Sequence, residues 1–276
     1  MPGVILDGQV VLITGGARGI GAETARRLVD RGVRVALVDA DGEEAERRAS
    51  ELGSRAAAFE ADVTDQAQID AAVEGTLENF GRIDATVAGA GILGMAATTA
   101  TVEAADYERV IDVNLHGVWR TLRATIPHVL ERRGYLLPIA SIAAVAPVPL
   151  LTAYGMSKAA VESLAMGLRM ELAHRGVAVG VAYFGVIDTD LVRGGYSQPA
   201  AARVKDVLPA RVSRPIPVGR AGAAIVRGIE RRSKRVYAPR WVPALLATRG
   251  VAGPSHDLLA RRRDFIEACR VGERSS

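Results

Sequence analysis

The chain carries one cysteine in 276 residues, Cys269, so no disulfide can close within it. Aromatic residues are scarce at 4%, and the core must be built mainly from Ala, Val, Leu and Ile. No apolar run is long enough to span a bilayer; the longest, Ile139 to Leu151, is interrupted by Pro147 and Pro149. The four histidines, His116, His128, His174 and His256, show no metal-ligand spacing, and with a single cysteine no zinc site and no other metal is expected. Met1 to Asp7 is too short for a signal peptide, because a hydrophobic strand and a glycine loop follow at once. A soluble, cytoplasmic protein is the expectation.

What is present reads as an ordinary globular chain, 49% hydrophobic and 24% charged. The formal net charge of +4 gathers late: Arg227 to Arg270 holds eleven Arg or Lys against four acids. Such a basic tail suits an anionic partner or a membrane surface, or is simply a solvated Arg-rich face. No nucleic-acid partner is expected.

Short apolar runs alternate with longer amphipathic ones. Val10–Thr14, Val33–Val38, Ala56–Ala61, Ile83–Val87, Tyr135–Ser141 and Val177–Phe184 read as strands, and Gly21–Arg31, Gln66–Phe80 and Ala159–His174 as helices. This alternation predicts an α/β doubly wound parallel sheet of Rossmann type. The pattern weakens after Asp190. Residues 191–232 mix Gly, Pro, Arg and Ala with one helix over Ala221–Arg231. A last strand near Val236–Tyr237, a short helix at Trp241–Leu246 and a polar, basic tail from Gly253 follow. One domain over residues 1–276 is expected. Residues 6–190 form its cofactor-binding and catalytic core, and residues 191–276 its less regular substrate loop and tail.

The first strand runs into Thr14-Gly15-Gly16-Ala17-Arg18-Gly19-Ile20-Gly21 and then a helix. Glycines let a backbone approach a pyrophosphate, and the helix N-terminus offers free N–H groups and a positive dipole end. The spacing is G-x-x-x-G-x-G, not the general G-x-G-x-x-G. Asp39 ends the second strand, eighteen residues after Gly21. An acid there accepts hydrogen bonds from ribose hydroxyls and repels a 2′-phosphate, which favours NAD over NADP; a turn or helix-cap role, with Asp41 competing for it, is the alternative. Arg18 points the other way, since its cation suits a 2′-phosphate. Asp62 and Val63 follow the third strand, where an adenine contact and a loop-capping role are both open.

Tyr154 and Lys158 lie one helical turn apart and share a face. A tyrosine with a pKa near 10 is a poor base at neutral pH, and a neighbouring ammonium favours its phenolate. So tuned, it can exchange a proton with an alcohol or carbonyl oxygen while hydride moves at carbon. Ser141, ending the fifth strand thirteen residues earlier, can hydrogen-bond the same oxygen, or merely cap the next segment.

Together these residues, with Asn114 forty positions before Tyr154, resemble the short-chain dehydrogenase/reductase family over Leu6 to Leu191. The resemblance implies a single Rossmann domain assembled as a homotetramer or homodimer. It makes Tyr154 the general acid/base and Ser141 the positioner of substrate oxygen. Lys158 would bind the nicotinamide ribose and lower the Tyr154 pKa, Asn114 would hold a water linking Lys158 to solvent, and Thr189 would meet the carboxamide. Gly15, Arg18, Gly19, Ile20, Gly21, Asp39, Asp62, Val63 and Ala90 would complete the cofactor site. The sequence departs from the family pattern at Gly89 and Phe184, where Asn and Pro are usual. Pro138, inside the fifth strand, predicts a bulge or displaced pairing.

The expected activity is hydride transfer between NAD(H) and a secondary alcohol or ketone. Alternatives are a catalytically silent NAD(H)-binding regulator and a membrane-surface reductase of lipid-like substrates. Leu191, Val192, Tyr196, Val204, Val207 and Leu208, with Ala144, Val145, Val148 and Leu150 opposite, suggest a hydrophobic substrate, but the same residues read equally as packing core or subunit interface.

Overall fold

The computed structural model describes residues 3–146, 148–248 and 263–274. Pro147 and residues 249–262, including His256, lie outside the described residues, as do the terminal 1–2 and 275–276.

Six parallel strands form the central sheet in the order β3-β2-β1-β4-β5-β6. They are β1 (Val10–Thr14), β2 (Arg34–Asp39), β3 (Ala56–Glu60), β4 (Ala85–Ala88), β5 (Tyr135–Pro138) and β6 (Ala178–Val179). The chain returns to β1's far side at β4, the topological switch point at which open α/β sheets bind ligands. Period-two alternation sends Val11, Ile13, Val35 and Leu37 to one face and Leu12, Ala36 and Val38 to the other. On the first face lie α1 (Gly19–Val29) and α10 (Val218–Arg231), through Leu28, Ile225 and Ile229. On the second lie α3 (Gln66–Phe80), α5 (Gly117–Glu131) and α6 (Thr152–Leu172), through Ile69, Leu122 and Val161. The α3 boundaries are those the sequence predicts, because both ends carry strong signals. Asp65 caps the Ala67 and Gln68 N–H groups, and Gly81 ends the helix at φ +75°.

Three elements differ from the sequence expectation; the first is the fifth strand, which ends at Pro138 rather than Ser141. The α6 helix begins at Thr152, just before the Tyr154–Lys158 turn expected to open it and ahead of the Ala159 start that the apolar periodicity gives; its N-cap, Leu151, makes no side-chain cap bond and so gives no signal. The strand expected over Val177–Phe184 is split at Gly180. After the break β7 (Ala182–Phe184) pairs with β10 (Val236–Ala238). Pro138 explains the place of the split. Tyr135 and Ile139 N–H groups donate toward β4, to Asp84 and Ala88 carbonyls, while Ala140 N–H donates to Ala182 on the other side. Pro138 therefore lacks its donor on the β6 side only. Its register with Ala88 on β4 is unbroken, so the expected bulge is absent there.

The region after Asp190 is more regular than expected. It forms α7 (Asp190–Ser197), α8 (Pro199–Val207) and α9 (Ala210–Ser213) before α10. The C-terminal helix Arg263–Arg274 packs against α8. Ala96, Leu150, Ala200, Ala201 and Val204 form a third, smaller core, with Val148, Leu151, Leu208, Cys269 and Val271 against it. Among the described residues no helix is long and apolar enough to cross a membrane.

Candidate active site

A cleft of about 460 Å³ opens at the carboxyl ends of the central strands. Its wall includes Gly15, Arg18, Gly19, Ile20, Gly21, Asp39, Asp62, Val63, Ala90, Ser141, Tyr154, Lys158 and Thr189, all predicted. Sequence reasoning missed Gly91, Ile92, Arg109, Val113 and Ile187, which also line it. They carry no individual signal, and only the fold brings them in: Gly91 and Ile92 from the turn after β4, Arg109 from α4 (Ala104–Ile111), Val113 from the turn that follows α4, and Ile187 from the short strand after β7.

The glycine loop is folded so tightly that neither Gly15 nor Gly21 has room for a side chain. Gly15 sits at φ +70°, and a Cβ there would lie 2.9 Å from Ala90 Cα. A Cβ on Gly21 would lie 2.0 Å from the Gly15 carbonyl oxygen. The result is a backbone cradle over the α1 N-terminus, which suits a pyrophosphate. Asp39 braces it: its carboxylate accepts from Ala17 N–H at 3.0 Å and from Asp41 N–H at 3.1 Å. The helix-cap role falls to Asp41, which accepts from Glu44 N–H at 3.1 Å. Asp41 also pairs with Arg18, so the one cation in the glycine loop already faces a carboxylate. Asp62 accepts from Thr64 N–H at 2.8 Å and its hydroxyl at 2.9 Å, so it caps its loop while lining the cleft.

Ser141 ends the approach from β5, and Tyr154 and Lys158 project from the first turns of α6. The Ser141 hydroxyl hydrogen-bonds the Tyr154 phenol and also accepts from Ala143 N–H at 3.1 Å. Desolvation raises the Tyr154 pKa above the usual tyrosine range, and the Ser141 hydrogen bond pulls it partly back. The net direction is upward, with burial the larger cause. The ammonium lies 5.7 Å from the ring centroid and donates to the Ile139 carbonyl at 3.0 Å. Burial itself depresses Lys158 to about 8.

Asn114 lies behind this wall, fully buried in a π-helical turn, Asp112–His116, that joins α4 to α5. Its side chain accepts from Ile92 N–H and donates to Ile92 C=O, both at 2.8 Å, and donates to Ser157 Oγ at 3.2 Å. A Cβ on Gly91 would lie 3.0 Å from Asn114 Oδ1 and 3.4 Å from Lys158 Nζ, so this glycine lets Asn114 and Lys158 come together. Thr189 caps α7, accepting from Val192 N–H at a long 3.4 Å, and lines the cleft too.

The two departures are absorbed by packing. At Gly89 a Cβ would meet the Thr14 carbonyl at 2.9 Å, and Ile139 fills the remaining space. Phe184 is buried, and its carbonyl accepts weakly from Ser141 at 3.4 Å. Among the described residues of the predicted apolar lining, Leu191 and Val192 face the cleft, and Leu150 lines a small adjoining cavity that shares Tyr154. Val204, Leu208, Val148 and Leu150 belong to the third core, and Tyr196 lies under Lys205, 5.0 Å from its Nζ. The Val207 side chain lies outside the described set. Among the described residues no group of three His, Cys, Asp or Glu side chains is placed to hold a metal.

A parallel sheet with a glycine cradle at its switch point and a Ser–Tyr–Lys cluster at the next strand end defines a nucleotide-dependent oxidoreductase of Rossmann type. The sequence pattern of the short chain dehydrogenase family matches residues 9–199, and the chain belongs to that family. It is 34% identical to 3beta-hydroxysteroid dehydrogenase 1 of Eggerthella lenta over 79% of this chain and 83% of that one. It is also 34% identical to galactitol 2-dehydrogenase of Agrobacterium fabrum, over 78% and 85%. Its fold matches a 3-ketoacyl-(acyl-carrier-protein) reductase from Brucella melitensis solved with NADH, with TM-score 0.76, 30% identity, and 84% and 97% of the two chains covered.

Proposed function

We propose that the protein interconverts a secondary alcohol and its ketone with NAD(H), Tyr154 serving as general acid/base. The observation that carries this is the convergence of Ser141, Tyr154 and Lys158 on the cleft that also holds the glycine cradle and Asp39. The cradle fits a dinucleotide: it presents backbone where side chains have no room, and a fixed carboxylate where a ribose would lie. When bound, the nicotinamide supplies the hydride donor or acceptor. Lys158 and Thr189 would hold its end, and Gly15 to Gly21 and Asp39 the rest. The Asp39 carboxylate, with Arg18 engaged by Asp41, supports NAD over NADP.

In the reductive direction the Tyr154 phenol, kept protonated by its raised pKa, donates its proton to the carbonyl oxygen. The Ser141 hydroxyl holds that oxygen and steadies its developing charge. In the oxidative direction the phenolate takes the alcohol proton, and the Lys158 ammonium beneath the ring favours that form. Leu191, Val192, Ile92 and Phe184 along the cleft support an apolar substrate. The exposed Trp119, Met166 and Met170 on α5 and α6 support self-assembly through that face. A silent nucleotide-binding protein has no missing catalytic group to argue for it.

The test is turnover of a panel of alcohols and ketones by wild type and Tyr154→Phe, with NADH and NADPH compared. Turnover is expected to fall about 100- to 10,000-fold in the variant with NADH binding intact. Undiminished turnover in Tyr154→Phe refutes the mechanism, and a preference for NADPH refutes the reading of Asp39.

A further inference from the structure

The loop after β4 is held from four separate places, by three side chains and one backbone carbonyl. Asn114 takes both backbone groups of Ile92. Asp106 on α4 accepts from Met95 N–H at 2.7 Å. The backbone carbonyl of Leu150, just before α6, accepts from Ala97 N–H at 3.1 Å. The remaining contact comes from Gln198, at the junction of α7 and α8. Its Oε1 accepts from Ala96 N–H at 2.7 Å, and its Nε2 donates to Gly94 C=O at 3.2 Å. One side-chain amide thus clamps a backbone stretch about a hundred residues away in sequence.

On one side of Gln198, α8 is fixed in the third core under the C-terminal helix. A Cβ on Gly272 of that helix would lie 2.8 Å from Leu150 Cδ2, so the helix sits as close to Leu150 as glycine permits. On the other side, α7 is weak. It has eight residues, two of them glycines, and a cap bond of 3.4 Å. Each glycine inside a helix costs roughly 0.5–1 kcal/mol relative to alanine. Yet α7 carries Leu191 and Val192 over the cleft. Besides its own turns, α7 is seated by Leu93, whose Cδ1 would lie 2.6 Å from a Cβ on Gly195, by Lys205 over the Tyr196 ring, by the exposed Arg193–Asp188 pair, and by the Gln198 clamp.

We propose that Gln198 is a positioning residue that fastens α7 over the substrate end of the cleft by clamping the Gly94–Ala96 backbone. It sets how long substrate and product are retained and leaves proton transfer to Tyr154. The inference rests on the oxidoreductase reading for its kinetic part only. The clamp needs a donor on one side and an acceptor on the other. Gln198→Glu keeps the acceptor for Ala96 N–H, but as a carboxylate it faces the Gly94 carbonyl without a proton. Protonated, it regains the donor.

Hydrogen exchange and steady-state kinetics of wild type, Gln198→Ala and Gln198→Glu test this. In Gln198→Ala the amides of Ala96 and of residues 191–197 are expected to exchange faster while those of β1 and β4 do not change. KM is expected to rise about tenfold with kcat within about twofold, as loss of two modest hydrogen bonds implies. Gln198→Glu is expected to resemble Gln198→Ala at pH 8 and to recover toward wild-type exchange and KM near pH 5. Wild-type exchange over residues 191–197 in Gln198→Ala overturns the proposal, as does a Gln198→Glu variant that is indifferent to pH. If wild type itself turns over no alcohol or ketone, the oxidoreductase reading fails, and the exchange experiment still decides the clamp.

Discussion

The two ends of the cleft use glycine in opposite ways. At the cofactor end, a Cβ at Gly15 or Gly21 would run into backbone at 2.9 and 2.0 Å. There glycine is demanded by packing, and the loop is rigid because nothing around it can give way. At the lid end, a Cβ on Gly194 would meet nothing within 4 Å. Gly194 only loosens the helix that carries it, while its neighbour Gly195 leaves room for Leu93. The contrast suggests a division of labour. On the proposed function, a preformed cradle would hold the dinucleotide, and a marginal helix, fastened at Gln198, would admit and release substrate.

The sharpest way to break this comparison is Gly21→Ala. The added methyl must displace the Gly15 carbonyl, which belongs to the cradle itself. A loss of about 3 kcal/mol is expected, at the upper end for overpacking, and NADH affinity should fall with it. Urea unfolding and NADH titration measure both. A variant as stable as wild type, binding NADH equally well, would mean that the cradle is as yielding as the lid.

Much of the rigid end was legible in the sequence, and little of the loose end was. Strands of Val, Leu and Ile bounded by Gly or Asp announce themselves locally, and α3 shows its cap and its stop. Tyr154 and Lys158 are four residues apart, and their spacing needs no tertiary information. The fate of Val204 and Leu150 does need it. Periodicity says that such residues are apolar, not that the C-terminal helix will cover them and remove them from the cleft. The clamp was invisible for the same reason. Gln198 is an unremarkable polar residue until the fold sets it against Gly94 and Ala96. Pro138 lies between these cases. It foretold a defect, but only the parity of β5 shows that the defect falls on the β6 side and leaves β4 untouched.

Lys158 stands at the seam between the two ends, and its burial has a thermodynamic signature of intermediate size. Burial lowers its pKa to about 8 from 10.5. Folding therefore disfavours its charged form, and between those values the unfolded chain binds more protons than the folded one. Stability rises with pH over that window, the penalty being fully present below pH 8 and relieved above it. From pH 7 to 10, wild type is expected to gain roughly 2 kcal/mol relative to Lys158→Met in urea unfolding. A difference that stays flat with pH would show that Lys158 is solvated in the folded protein, and would place the seam on the loose side of the comparison.

The smallest effect probes the lid directly. Gly194→Ala adds a methyl into open space on a helix that keeps its geometry. It should stabilise α7 by roughly 0.5–1 kcal/mol, chiefly by restricting the unfolded segment. Global unfolding need not register this, because α7 can open without the sheet; hydrogen exchange over residues 191–197 should slow a few-fold. If release limits turnover, kcat should fall by a similar factor while NADH affinity holds, since the cradle is untouched. Slower exchange with unchanged kcat would leave α7 a cover that does not gate the slow step. Unchanged exchange would deny that Gly194 is what loosens the lid, and would leave Gln198 as the determinant of its opening.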